Sequence, residues 1–146
     1  MGTPRHPPAR AWVAVGVVAS TLAAAALLSP WVALGSRRFS SLDLISSASA
    51  LELVEGRRKL MVLAAWMIVP VFTAASYVLA ALGRWRLWAC ALLPIGPTYA
   101  LGLVATASRS PLRTQWGLHL GTAAGATATL VGVVLLVGAR ARRRHC

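Results

Sequence analysis

Acidic side chains are scarce in this sequence: its 146 residues include 3 Asp and Glu against 15 Lys and Arg, and charged residues make up only 12%. Hydrophobic residues account for 58%. A soluble domain usually carries about twice this share of charged residues. The composition therefore predicts a protein whose surroundings are lipid rather than water.

Four long segments contain no Asp, Glu, Lys or Arg. A helix needs roughly 20 residues to cross a hydrocarbon core of about 30 Å. The four segments have lengths of 18 to 24 residues and cover 11–28, 60–82, 87–107 and 116–139. We therefore expect an all-α polytopic membrane protein, a four-transmembrane-helix bundle that forms one membrane domain over residues 1–146.

Tryptophan placement agrees with these boundaries, because the indole ring prefers the headgroup level of a bilayer. Only Trp66 is expected well inside a span, and the residues at span ends are Trp12, Trp31, Trp85, Trp88 and Trp116. A cleaved signal peptide is the alternative for the first span, since Arg5 and Arg10 precede it. Its 18 apolar residues exceed the usual signal core, which favours a retained helix.

Basic residues decide the orientation of the spans, because they resist translocation. Four spans place both termini on one side, and that side holds eight arginines against seven basic residues on the other. The densest basic run directly follows the last span: Arg140, Arg142, Arg143 and Arg144. We expect cytoplasmic termini in the inner (plasma) membrane, with this run contacting anionic lipid. The arginines are spread over all loops, which argues against nucleic acid as a partner.

The connection 29–59 is the one loop long enough to carry structure, and it holds all three acids, Asp43, Glu52 and Glu55. Ser40 and Asp43 resemble a capping signal, which predicts a short extramembrane helix over about 41–55. No His or Cys accompanies the acids in this loop. We therefore expect no catalytic residues, no metal and no cofactor.

Prolines interrupt two of the predicted spans. The third span contains "LLPIGPTYALG", in which Pro94 and Pro97 each remove a backbone donor, so a kink or break is expected there. The freed carbonyls need a hydroxyl such as that of Thr98, a neighbouring helix or water. Pro70 is expected to bend the second span.

Glycines recur at intervals of four in the fourth span. Association between helices in lipid depends on close van der Waals contact, which residues without side chains permit. The predicted helix-packing face consists of Gly117, Gly121, Gly125, Ala128 and Gly132, and Ala124 extends it. The spacing leaves open whether the neighbouring helix lies in this chain, in a second copy or in another protein.

The layout of the chain, with "SPWVALGSRRFSSLDL" after the first span and three further Ala- and Val-rich spans, resembles that of small four-span membrane proteins common in actinobacteria. The resemblance implies a location in the cell membrane and assigns no activity.

The predicted spans lack the buried charges that ion-coupled transport or intramembrane catalysis requires. The leading expectation is a non-catalytic interaction or accessory subunit that contacts another membrane protein or a second copy of itself. The alternative is transport or permeation of a small solute through the proline-containing third span.

Reporter fusions test the predicted orientation. A reporter that is active only outside the cytoplasm should be silent at the C-terminus and active when inserted at Ser47, because the two positions lie on opposite sides of the membrane. The reverse pattern would overturn the assignment.

Overall fold

A computed structural model describes residues 10–43, 46, 57–107 and 113–144, with side chains described at 10–43, 46, 66–104 and 113–141. Its helices are α1 (Arg10–Ala26), α2 (Arg57–Ala81), α3 (Trp85–Leu92), α4 (Ile95–Ala107) and α5 (Trp116–Arg144). Three short strands accompany them: β1 (Pro30–Leu34), β2 (Arg37–Ser40) and β3 (Arg113–Thr114). The described chain is mostly helical, as expected.

Three helices, α1, α3 and α4, pack against α5 and run antiparallel to it. This last helix packs most extensively on α1 and α4 and also contacts α3, while α2 covers the opposite side through α3, α1 and α4. One end of the bundle carries the strands, and we call it the sheet end. The opposite end, the tail end, holds the start of α1, the α2–α3 turn and the end of α5.

Two segments are long and apolar enough to cross a membrane: Trp85–Val104, which includes the α3–α4 break, and Trp116–Ala141. Arg10–Ala26 and Trp66–Ala81 are shorter apolar helices. Two helices extend beyond the predicted span bounds, and in both the extension contains charged residues. Arg57 begins α2 and Arg144 ends α5, since arginine is a good helix former that continues a helix beyond its apolar part.

The turn between α2 and α3 is a glycine-terminated helix end. Gly83 has a φ of 65°, which glycine adopts without strain. Its N–H donates to Ala80 O (3.1 Å) and the Arg84 N–H donates to Leu79 O (3.0 Å), the two hydrogen bonds of a Schellman motif. This turn reverses the chain after α2.

A small antiparallel sheet, which the sequence analysis did not predict, lies at one end of the helix bundle. Its strand order is β2-β1-β3, and Leu34 pairs with Arg37 across a two-residue turn. Gly35 begins that turn with a φ of 60°. The dipeptide Gly35-Ser36 between strand-forming residues is a recognisable hairpin signal. The pairing of β1 with β3 joins segments about 80 residues apart, and nothing local in the sequence predicts it.

The expected capping signal is present at the start of the loop helix. The Ser40 N–H donates to Asp43 Oδ2 (2.9 Å), and the Asp43 N–H donates to Ser40 Oγ (3.2 Å), as in a reciprocal capping box. The Ser40 hydroxyl also donates to Asp43 Oδ2 (2.8 Å), and the hydrogen bonds that the backbone N–H and the hydroxyl of Ser40 donate to this carboxylate lower the pKa of Asp43. Residues 41–43 and Ser46 are helical. The remainder of the predicted helix, including Glu52 and Glu55, lies outside the described residues.

Two side chains donate to the carbonyls at the end of α1, and a third supports one of them. The Trp31 indole donates to Ala26 O (2.8 Å), and the buried Ser41 hydroxyl donates to Leu27 O (2.5 Å). The Trp66 indole in turn donates to Ser41 Oγ (3.0 Å). Trp66 therefore lies level with the end of α1 at the sheet end, which corrects its predicted position deep inside a span.

Candidate functional site

The candidate site lies where the third predicted span is broken. The structure ends α3 at Leu92 and begins α4 at Ile95, with Pro94 between them, so the expected break is present. The Leu93 N–H donates to Cys90 O at 3.3 Å, a hydrogen bond of the 3₁₀ type that ends α3. Pro97 falls in the first turn of α4, where a backbone N–H has no intrahelical acceptor and proline costs little.

The hydroxyl of Thr129, on α5, fills the gap in this helix. In an uninterrupted helix the Gly96 N–H would donate to the carbonyl of Leu92. Here it donates to Thr129 Oγ1 at 3.0 Å, and that hydroxyl donates to Leu93 O at 3.1 Å. Leu93 is the residue whose carbonyl Pro97 leaves without its helical donor. Thr129 thus replaces a backbone hydrogen bond with a side-chain bridge from the neighbouring helix.

Thr98 bonds to the carbonyl of Pro94, which the prolines do not free. Its hydroxyl donates to Pro94 O at 2.8 Å, and its backbone N–H, the usual helical donor to that oxygen, approaches it at 3.3 Å. Of the two expected partners for the freed carbonyls, the neighbouring helix is therefore used, through Thr129, and the Thr98 side chain is not. By contrast, α2 continues through Pro70 as one helix over Arg57–Ala81.

The glycine face of α5 lies against other parts of this chain. A Cβ added at Gly125 would lie 3.1 Å from the Cα of Gly96, and one at Gly132 would lie 2.6 Å from the Ala89 carbonyl oxygen. At Gly117 it would lie 2.5 Å from the Pro30 carbonyl oxygen. Ala128 is fully buried. Of the three arrangements left open by the sequence, this is packing within the chain.

Tyr99 connects three helices at the centre of this contact. Its ring is buried, and a Cβ at Gly121 would overlap the ring atoms. The Tyr99 hydroxyl donates to the Ala23 carbonyl of α1. That carbonyl needs a donor because the Leu27 N–H, its usual partner in an α-helix, donates to Ala24 O instead. The ring of Trp31 lies 5.5 Å from that of Tyr99 and closes the contact at the sheet end.

A second small-residue face, on α1, was not identified from the sequence. Gly16, Ala19, Ser20 and Ala23 are buried on one side of that helix. A Cβ added at Gly16 would lie 2.8 Å from the buried ring of Trp88. The small-xxx-small spacing of Gly16 and Ser20 was the available signal.

Reactive groups are sparse among the described residues. No group of three or more His, Cys, Asp or Glu residues there could hold a metal ion. The exposed His119 places Nε2 3.2 Å from the Thr114 hydroxyl, and Cys90 is exposed on α3. The hydroxyls at the break are engaged with backbone groups. The hydroxyl arrangement at the break therefore joins helices, and Cys90 and His119 lie outside it.

The basic run at the chain end belongs to α5. Arg140 is exposed on the last turns of this helix, which continues through Arg142, Arg143 and Arg144. A helix C-terminus attracts cations, so this placement is favourable. Contact of the run with anionic lipid stays a prediction.

Comparisons of the chain with protein-family models, curated proteins and solved structures found no match.

Replacing Thr129 tests the bridge across the break. Thr129→Val keeps the shape of the side chain and removes its hydroxyl, so the Gly96 N–H and the Leu93 carbonyl lose their partner. We expect a loss of about 1–3 kcal/mol in the free energy of unfolding, measured by denaturant titration in detergent. Thr127→Val is the matched control, because the exposed Thr127 hydroxyl bonds only to Ala123 O of its own helix. Equal effects of the two changes would contradict the bridge.

Replacing Gly121 tests the contact between α5 and the Tyr99 ring. Gly121→Ala forces the ring to move and breaks its bond to α1, so we expect a loss of about 1–3 kcal/mol in unfolding free energy. Gly138→Ala is the control on the same helix, because nothing lies within 4 Å of an added Cβ there. The control should leave stability unchanged or raise it by up to about 1 kcal/mol. A harmless Gly121→Ala would refute the described contact.

Proposed function

We propose that the chain is a four-span integral membrane protein that acts as a non-catalytic interaction or accessory subunit of a membrane complex. The distribution of side chains supports the four spans. Small residues dominate the core, whereas large apolar residues are exposed on every long helix, among them Val18, Leu22, Val71, Val78, Leu101, Val104, Leu130 and Val137. Water would disfavour such a surface, and lipid would not.

The positions of the tryptophans support the same embedding. Trp31 and Trp66 bond to groups at the end of α1, and Trp116 begins α5 at the same end of the bundle. Trp12 and Trp85 lie in the first turns of α1 and α3 at the tail end. Two belts of indole rings separated by apolar helix are typical of membrane proteins.

The tail end is proposed to face the cytoplasm from the inner (plasma) membrane. It carries both described termini and the exposed residues Arg10, Arg84, Arg86 and Arg140. α1 and the Trp66–Ala81 part of α2 would be the two shorter spans beside Trp85–Val104 and Trp116–Ala141. Anionic lipid on the cytoplasmic side suits this charge.

The docking surface is proposed to lie between α1 and α2, because the glycine face is filled by this chain. Thr21 of α1 and Tyr77, four residues before the end of α2, place Oγ1 and Oη 2.5 Å apart, and both side chains are exposed. Thr21 donates to Val17 O at 2.7 Å, so Tyr77 is the donor to Thr21. This exposed polar pair is the observation that carries the proposal.

The chemistry of the pair specifies the kind of partner. Both hydroxyl protons are used, but the Tyr77 oxygen retains acceptor capacity on a surface that otherwise faces lipid. A polar atom exposed to hydrocarbon is stabilised by a hydrogen-bond donor on a neighbouring helix. The proposed partner is therefore a transmembrane helix of another membrane protein with a hydroxyl, amide or indole donor at the level of the Tyr77 hydroxyl.

The permeation alternative receives less support from the geometry. Broken helices that line transport sites leave backbone carbonyls open toward a cavity. Here Thr98 and Thr129 occupy the carbonyls of Pro94 and Leu93, and α5 packs directly on the break.

Site-specific photocrosslinking in native membranes tests the docking surface. A photoreactive residue at Val78, beside Tyr77, should form an adduct with one membrane protein, whereas the same residue at Val134 on the exposed side of α5 should not. Tyr77→Phe should weaken that adduct, because one interhelical hydrogen bond contributes roughly 0.6–1.7 kcal/mol in membranes. An adduct with a second copy would reassign the partner, and equal labelling from both positions would refute the surface.

A further inference from the structure

The sheet brings together two arginines that are far apart in the sequence. Ala33 of β1 pairs with Arg38 of β2 on one side and with Arg113 of β3 on the other. Residues directly opposite one another in a sheet project to the same face. Arg38 and Arg113 therefore flank a small alanine, with their Cα atoms separated by two strand spacings, about 10 Å.

This row of three residues faces away from the helices. The neighbouring row consists of Val32, Phe39 and Thr114, in which Val32 is fully buried and the other two are partly buried. Successive residues of a strand alternate between faces, so Ala33 and both arginines lie on the outer face. Arg38 and Arg113 are indeed exposed.

No carboxylate of the described residues is bonded to either guanidinium. Asp43 is the single acid within the described part of the chain, and its carboxylate accepts hydrogen bonds from the backbone and hydroxyl of Ser40. Guanidinium groups bind phosphate through paired N–H donors, a geometry that a lysine ammonium does not offer. Ala33, between the two arginines, is partly exposed and carries only a methyl group, so an oxyanion can approach both guanidinium groups.

The connections of the sheet place this row at the end of the apolar helices. Three residues separate β1 from the end of α1, and one residue, Gln115, separates β3 from the start of α5. The Gln115 N–H donates to Trp31 O at 2.8 Å, which ties the sheet to the first turn of α5. In a bilayer, the sheet would lie at headgroup level, next to the indole rings of Trp31 and Trp116.

We propose that Arg38 and Arg113 bind the phosphate of an anionic phospholipid headgroup above Ala33. The site rests on the proposed membrane location but not on the proposed docking of a partner protein at Tyr77. Its ligand is distinguished from free phosphate by the acyl chains, which lie along the apolar helix ends below the sheet.

Native mass spectrometry of the full chain in detergent tests the site. The protein is titrated with phosphatidylglycerol, and in parallel with inorganic phosphate alone. Arg38→Gln and Arg113→Gln should each weaken phosphatidylglycerol binding about tenfold, the loss expected for one charge-assisted contact. Arg37→Gln is the matched control: it removes the same charge from the adjacent position of β2, which pairs with Leu34 on the other face of the sheet.

The outcomes distinguish lipid binding at a specific site from non-specific electrostatic attraction between the protein and anionic lipid. A selective loss in the first two variants, with Arg37→Gln within about twofold of the unchanged protein, supports the site. Equal losses in all three variants would show that only net charge matters and overturn it. Binding of inorganic phosphate with no preference for the lipid would overturn the headgroup assignment. Circular dichroism of each variant establishes that the helices are retained. Arg38→Lys, which keeps the charge but lacks the paired N–H donors, should bind phosphatidylglycerol better than Arg38→Gln and less well than the unchanged protein.

Discussion

The Thr129 hydroxyl occupies the position on which the packing of the helices depends. Lipid offers no hydrogen bonds, so a helix broken by prolines is tolerated only where other protein groups satisfy its backbone. Thr129 does so for Gly96 and Leu93 and thereby fixes α4 against α5. With α4 held in this position, Tyr99 reaches the Ala23 carbonyl of α1. The Thr129 and Tyr99 hydroxyls thus link three helices in sequence: α5 to α4, and α4 to α1.

Close backbone approach is the second requirement of this arrangement. Glycines on α5 admit the ring of Tyr99 and the backbone of α4, and Gly16 of α1 admits the ring of Trp88. In the proposed membrane location, burial of apolar area contributes little between helices, so such contacts and the hydroxyl bridges replace it. At the sheet end, three strands join the end of α1 to the start of α5 and hold these helices in register.

Local features of the structure were predictable from the sequence, and distant pairings were not. The break at Pro94, the capping box at Ser40 and Asp43, and a glycine face on the last helix follow from residue type and spacing within one segment. The bridge from Thr129 to Gly96 joins residues 33 positions apart, and the Tyr99 bond to Ala23 joins residues 76 apart. Such contacts depend on which helices become neighbours. The β1–β3 pairing and the Arg38–Arg113 row depend on the same information.

The order of the helices has a consequence for biosynthesis, because α5 is synthesised after the helices that it supports. Until this segment leaves the ribosome, the earlier helices lack the glycine surface that receives Tyr99 and the hydroxyl that satisfies the backbone at the break. In the proposed membrane location, a chain interrupted before residue 116 would leave unpaired peptide groups in the hydrocarbon, an unfavourable state that membrane proteases and insertases can recognise.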